Sequence, residues 1–190
     1  YAFARSLGHV VQYESPVTEI RKTSTGVRVS YMHRGHARQV EAAYCICALP
    51  FSMLKKIPND LSEPFKRVID GSTLASAFKM AWESNRFWER DYNIYGGLSF
   101  LEEGVSPVWY PSSRMMHSTG VVLSGYMIEE DVIPGFEALT LEQKFAASRA
   151  SVEKLHPGHG KELHDPVFCG WKRVRWNEGS WIDTYGGGPS

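Results

Sequence analysis

The run AYCICALP, residues 43–50, constrains this chain more than any other stretch. It is apolar almost throughout, is closed by Pro50 and is too short for a helix. Such a run is the pattern of a strand buried on both faces, which needs strands at its edges and cover above and below. It predicts an interior strand of a layered sheet, with Cys45 and Cys47 as buried free thiols. With Cys169 the cysteines number three, an odd count that argues against a disulfide framework and favours a reducing compartment such as the cytoplasm.

Around that run the punctuation is that of an α+β protein, with a mixed sheet and flanking helices. YAFARSLG reads as the end of a helix stopped at Gly8. From His9 to Leu49 the signal is strand: VVQYESPVTEIRK and VRVSYMHR, separated by TSTG, read as a hairpin with alternating apolar positions Val27, Val29 and Tyr31. FSMLKKI suits a helical turn. DLSEPFKRVIDG suits a helix capped by Asp60 or Ser62, with Pro64 in its first turn and Gly71 at its stop. SAFKMAWES, YGGLSF, SPVWYPS and GVVLSGYMI carry β-branched and aromatic residues between turn formers and read as strands. Helices are expected from about Glu129 to Phe136 and from Thr140 to Lys154, the second opened by a Thr140–Gln143 capping box. HPGHGKELHDP reads as an exposed loop, and VFCGWKRV as the last strand.

Several chemistries are not encoded. Acidic and basic residues balance at 21 each, and the basic ones are scattered, so neither nucleic acid nor an anionic membrane is a natural partner. No apolar run approaches the roughly 20 residues of a membrane-spanning helix, and no signal peptide opens the sequence. There is no G-x-S-x-G, no P-loop and no G-x-G-x-x-G. The spacing of His117, His156, His159 and His164 matches no usual zinc ligand set, so no metal is expected. What remains is Lys79, interrupting an apolar strand between Phe78 and Met80, and a set of aromatic residues. Lys79 is either the solvent side of a half-buried strand or a partly buried ammonium, able to hold a water and displaced from its usual pKa. Periodicity does not choose between the two.

The ordered stretches NRFWERDYNIYGGLSFLEEGVSPVWYPSS and GVVLSGYMIEED resemble the substrate domain of the flavin-dependent amine oxidases, most of all the L-amino-acid oxidases. SPVTEI, GVRVSY and AAYCICALPFSMLKKI are similar to that family's second group of flavin-contacting strands, and Trp171 to Trp181 resembles its tryptophan–aromatic–Gly-Gly segment. The resemblance implies partial FAD-binding-domain strands at 1–50, a substrate-binding domain at 51–170 and a return to the FAD-binding domain at 171–190. It implies oxidative deamination of an L-amino acid, with hydride passing to FAD, water releasing a 2-oxo acid and ammonia, and oxygen yielding hydrogen peroxide. A monoamine or polyamine oxidase, or a non-enzymatic binding module lined by aromatics, is the alternative.

The resemblance also implies residue roles. Lys79 matches the lysine that holds a water against the flavin. Tyr126 matches a tyrosine that hydrogen-bonds the substrate carboxylate, a task suited to a phenol because it donates one directed bond without charge. Trp171 matches a tryptophan near the isoalloxazine, and Trp181 an aromatic wall of the substrate cavity; Trp176 between them matches structural support. Val17 matches a valine whose backbone contacts the adenine. Gly179 and Ser180 stand where small residues precede the cavity wall, and serine in place of the cysteine found in members with covalently attached flavin implies non-covalent FAD. Each of these side chains has a plainer reading as core or sheet packing. The dinucleotide fold and a carboxylate-pairing arginine are absent, so the expected partners include further FAD-binding segments or chains. The isolated chain is expected to be inactive, and a homodimer is admitted.

Overall fold

The computed structural model describes residues 2–127 and 133–182. They fall into two compact units, divided between residues 73 and 74.

The first unit opens with helix α1 (Ala2–Leu7), ended at Gly8 as expected. Strands β1 (Val17–Lys22), β2 (Val27–His33) and β3 (His36–Ala42) then form an antiparallel sheet in the order β1-β2-β3. Thr23 donates its backbone N–H to Gly26 across the first turn, at 2.8 Å. The second turn is Arg34-Gly35, both at positive φ (+47° and +82°) between the paired residues His33 and His36. That geometry matches the twist of the flanking strands. The strand signal across residues 9–49 covers β3 without marking it as a separate element; the X-Gly pair between polar, β-compatible residues is what sets it off. Helix α2 (Phe51–Leu54) and helix α3 (Glu63–Gly71) come next. Ser62 occupies the N-cap of α3 without a side-chain capping bond. Asp60 does not cap either: its carboxylate accepts from the Arg21 guanidinium at 2.8 Å and from the Lys22 N–H at 2.9 Å. The tie to Arg21 holds Asp60 below the usual carboxylate range.

AYCICALP departs from expectation. Residues 44–50 form no strand; Tyr44 and Ile46 are 89% and 95% exposed, and Cys45 and Cys47 are exposed rather than buried. Burial on two faces is a property of a strand's neighbours, and among the described residues of this unit no strand flanks the run and nothing covers it.

The second unit is built on strands β4 (Phe78–Asn85), β5 (Leu98–Ser99), β6 (Val108–Trp109), β7 (Thr119–Met127) and β8 (His164–Gly170), antiparallel in the order β5-β6-β7-β4-β8. Strand β4 alternates strictly. Phe78, Met80, Trp82 and Ser84 are buried, while Lys79, Ala81, Glu83 and Asn85 face the other way. Helix α4 (Phe87–Arg90) adds Phe87 and Trp88 to the core. Helix α5 (Ile133–Ala138) brings Phe136 onto Phe78, the rings stacked at 4.4 Å. The five residues before α5, including Glu129, lie outside those described.

Helix α6 (Leu141–Leu155) crosses the buried face. Its capping box is formed as the sequence predicts, with Gln143 N–H donating to Thr140 Oγ1 at 3.2 Å and Thr140 N–H to Gln143 Oε1 at 2.9 Å. A reciprocal clasp ties α6 to β7. Ser148 donates to the carbonyl of Ser124 at 2.6 Å, Ser124 donates to that of Ser148 at 2.9 Å, and Trp82 donates its indole N–H to Ser148 Oγ at 2.8 Å. With all three groups buried, satisfying them together fixes the helix register more sharply than apolar contact alone.

The His-rich loop is exposed only in part. His156 ends α6, is 3% exposed and meets the Tyr110 hydroxyl at 2.6 Å, while His159 stacks on Phe87 at 4.4 Å. Both rings complete an aromatic cluster that a loop reading of HPGHG misses. Among the described residues no helix is long and apolar enough to cross a membrane.

Candidate functional site

One face of the five-stranded sheet is covered by α6 and its neighbours; the other face is open. Register assigns its residues. Lys79 is paired with Tyr126 on β7 and with Cys169 on β8; Ala81 is paired with Leu123 and Val167; Leu123 is paired with Trp109, and Trp109 with Leu98. Directly paired residues share a face, so Lys79 lies at one end of a largely apolar surface. Its Nζ sits 4.7 Å from the centre of the Tyr126 ring and 5.9 Å from that of Trp109. Among the described residues it has no hydrogen-bond or ion-pair partner. Lys79 is thus on the open side of a half-buried strand, with its ammonium resting on aromatic faces.

Tyr126 reaches that face only because β7 breaks its alternation. Val122 and Ser124 are buried and Leu123 is on the open side, so strict period two would turn residue 126 into the core. Between the pairs Lys79–Tyr126 and Ala81–Leu123, β7 spends three steps against two on β4. The extra residue is a bulge, which re-aims the side chains beyond it. Gly125 supplies it, at φ +135°. A Cβ built there would lie 3.0 Å from Met80 Cε and 3.0 Å from Val105 Cγ1, so the backbone calls for glycine and a side chain would also press on both neighbours. A second irregularity, on β8 between the partners of Ala81 and Glu83, coincides with Asp165 at φ +45°.

The terminal aromatic segment is stitched to the entry of β4. Trp171 donates its N–H to the Ala77 carbonyl at 3.1 Å, Ser180 to that of Ala75 at 3.0 Å, and Ala75 to that of Trp181 at 2.9 Å. Residues 171–173 form a 3-10 turn rather than continuing the strand. Gly179 is buried against Leu74, whose Cβ would stand 2.3 Å from an added Cβ, so packing alone demands glycine there. The Ser180 hydroxyl is buried without a partner. Trp181 is 37% and Trp176 53% exposed. Lys79, Tyr126 and the 171–181 segment are thus brought to one end of one sheet. Val17 begins β1 in the first unit, where it pairs with Tyr31.

Sequence reasoning misses Trp109 and Gly125 as site residues. Trp109 sits inside a strand pattern with nothing local to distinguish it. The signal for Gly125 is parity, since a tyrosine in phase with core residues can face outward only across a bulge. His164 lies with Glu83 and Asp165 in an exposed trio, whereas His156 and His159 are engaged in the core.

Behind the open face, Arg86 and Glu89 form a buried ion pair, and both bind backbone of the loop after β6. Arg86 donates to the Ser113 carbonyl at 3.0 Å, and Glu89 accepts from the Met116 N–H at 2.9 Å. The Arg86 hydrogen bond holds Glu89 below its ordinary pKa against the opposing effect of burial.

The fold has clear relatives. A putrescine oxidase solved with putrescine bound superposes with a TM-score of 0.77 at 19% identity, over 94% of this chain and 39% of that one. Cyclohexylamine oxidase from Brevibacterium oxydans IH-35A gives 0.72 at 15% identity, over 88% and 37%. The chain therefore spans about two fifths of the length of these oxidases. Residues 1–188 match the sequence profile of the flavin containing amine oxidoreductases, and the chain belongs to that family.

Proposed function

We propose that this chain forms the substrate-facing part of an FAD-dependent oxidase of L-amino acids, with Lys79 and Tyr126 as its central pair. The observation that carries the reading is the Lys79 ammonium, held on an aromatic face at one end of a largely apolar surface, with no ion-pair partner among the described residues.

Whether the residues suit a flavin can be judged from their donors. The ammonium of Lys79 and the orphaned hydroxyl of Ser180 are both hydrogen-bond donors, and an isoalloxazine edge offers carbonyl and ring-nitrogen acceptors. The fit is good. In the proposal Trp171, Gly179 and Ser180 border a non-covalently bound ring, and the backbone of Val17 contacts the adenine. When bound, the flavin supplies the two-electron acceptor that oxidation of a C–N bond needs.

The chain's own residues supply position and charge. Lys79 donates a hydrogen bond to a water, placing its oxygen for attack on the oxidised carbon. Tyr126 presents its ring to Lys79, and in the proposal its hydroxyl donates to the substrate carboxylate. A cation over the ring draws electron density from it and strengthens the phenol as a donor. Trp181 walls the cavity, and the apolar surface around Leu123 and Val121 excludes water from the amine. The reading applies to a protein in which a flavin-binding part joins these residues.

Oxidation of amines without a carboxylate is the second reading, favoured by the relatives, which are oxidases of putrescine and cyclohexylamine. Tyr126→Phe separates the two. A lost hydrogen bond to a charged group is worth about 1.5–3 kcal/mol. The variant should therefore weaken kcat/KM for an L-amino acid about 10- to 150-fold and leave the corresponding decarboxylated amine nearly unchanged. Equal loss on both substrates defeats the amino-acid reading. Full activity in Lys79→Met defeats the role of Lys79.

A further inference from the structure

Trp109 is oddly placed for an indole. Its neighbours Val108 and Tyr110 are 0% and 1% exposed, whereas Trp109 is 37% exposed on the open face. It stands on β6, and Lys79 on β4, with β7 between them. Two strand spacings amount to about 10 Å, yet the Lys79 Nζ lies 5.9 Å from the centre of the indole. The two side chains therefore lean toward one another across the middle strand, where the Tyr126 ring is also in contact with the ammonium.

The direction of Trp109 is fixed by its flanking residues. Val108 pairs with Ser124 and Ser99, and Trp109 itself with Leu123 and Leu98. Tyr110 donates its N–H to the Gly97 carbonyl at 3.0 Å, and its hydroxyl is held by Ser99 at 3.0 Å and by His156. With residues 108 and 110 locked inward, residue 109 has only the open face. An indole is the strongest of the aromatic partners for a cation, and a lysine stem is flexible enough to need one.

We propose that Trp109 is a positioning residue: with Tyr126 it clamps the Lys79 ammonium between two aromatic faces from different strands, and so sets where that cation stands on the sheet. The inference rests on the reading of Lys79 given above, but its test has an arm that does not. In protein labelled with 13C-lysine, the Lys79 Cε–Hε resonance, identified by its disappearance in Lys79→Met, should lie upfield of the other lysines because of the two ring currents. Trp109→Leu should remove roughly half of that displacement, and Trp109→Phe should retain most of it. An unchanged resonance in Trp109→Leu overturns the clamp.

The kinetic arm is a double-mutant cycle in the flavin-loaded oxidase. Trp109→Leu should lower kcat several-fold in the Lys79 background, with rescue by Trp109→Phe, and have little further effect when Lys79 is already methionine. Equal losses in both backgrounds make Trp109 a structural or substrate-lining residue and overturn the proposal. Should Lys79→Met itself leave turnover intact, the reading of Lys79 fails, while the resonance still decides whether the clamp exists.

Discussion

Gly125→Ala is the sharpest perturbation the fold offers, because one methyl group meets two obstacles at once. At φ +135° an L side chain is strained, and a residue held in such a region costs about 1–3 kcal/mol. The new Cβ also stands 3.0 Å from both Met80 Cε and Val105 Cγ1, and 3.4 Å from Met80 Cβ, in a fully packed interior. Overpacking of this kind adds about 1–3 kcal/mol. The restricted unfolded chain returns only about 0.4–1 kcal/mol, leaving a net destabilisation of about 2–5 kcal/mol. Chemical denaturation followed by tryptophan fluorescence reads it directly. Adding Val105→Ala should recover the part of the steric share owed to Val105 and leave the Met80 and backbone shares, so the double variant should be more stable than additivity predicts by about 0.5–2 kcal/mol. There is a geometric consequence as well: if alanine is accommodated by ironing out the bulge, Tyr126 returns to the core phase of β7. Contacts between the Tyr126 ring and the Lys79 methylenes would then vanish from NOE spectra. A Gly125→Ala protein within about 0.5 kcal/mol of the parent, with those contacts intact, would refute the bulge argument.

Three other outcomes are set by the packing. Ser148→Ala removes the partners of the Trp82 indole N–H and of one Ser124 carbonyl bond inside the core; it should cost about 1–3 kcal/mol in equilibrium unfolding, and a loss below that range would show that the Ser148 hydroxyl adds little to the anchoring of α6. His156 is kept below its ordinary pKa, first by burial and then by His159, which itself faces Asp91 and Glu162; Tyr110 and Tyr92 also meet the His156 ring. The unfolded chain therefore binds this proton more readily than the folded one, so stability should be fully present above about pH 6.5 and decline as pH falls below it. Replacing His156 with Gln should flatten that slope, and an unaltered slope would place its origin elsewhere. Finally, a thiol reagent should modify Cys45 and Cys47 quickly and Cys169, only partly accessible, more slowly; three equal rates would contradict the exposed conformation of residues 44–50.

The parts of the fold legible in the sequence are those whose causes are local. Alternation in SAFKMAWES, the Thr140–Gln143 box and the Pro64–Gly71 bracket each encode their own geometry, and β4, α6 and α3 appear where those signals stand. Capping by Asp60 fails because a carboxylate near a helix start can be taken by a cation 39 residues away in sequence, and Arg21 takes it. The buried reading of AYCICALP fails for the same kind of reason, since an apolar run states what a strand requires and not whether its neighbours are present. His156 looks like loop because its burial is decided by Phe87, Tyr92 and Tyr110, all distant in sequence.

The site shows both regimes in one place. Lys79 is conspicuous because a charge in an apolar alternation is a local anomaly. Tyr126 can be assigned a face only by counting through a glycine that changes the count, and Trp109 only by knowing that β6 lies two strands from β4. Each of the three reaches the shared surface by a different route: regular alternation for Lys79, a bulge for Tyr126, and a two-residue strand locked on both sides for Trp109. Ordinary period-two sheet would have brought only Lys79 and Trp109 to the open side. The departure at Gly125 is therefore what turns a sheet surface with a stray lysine into an arrangement of one cation and two aromatic faces.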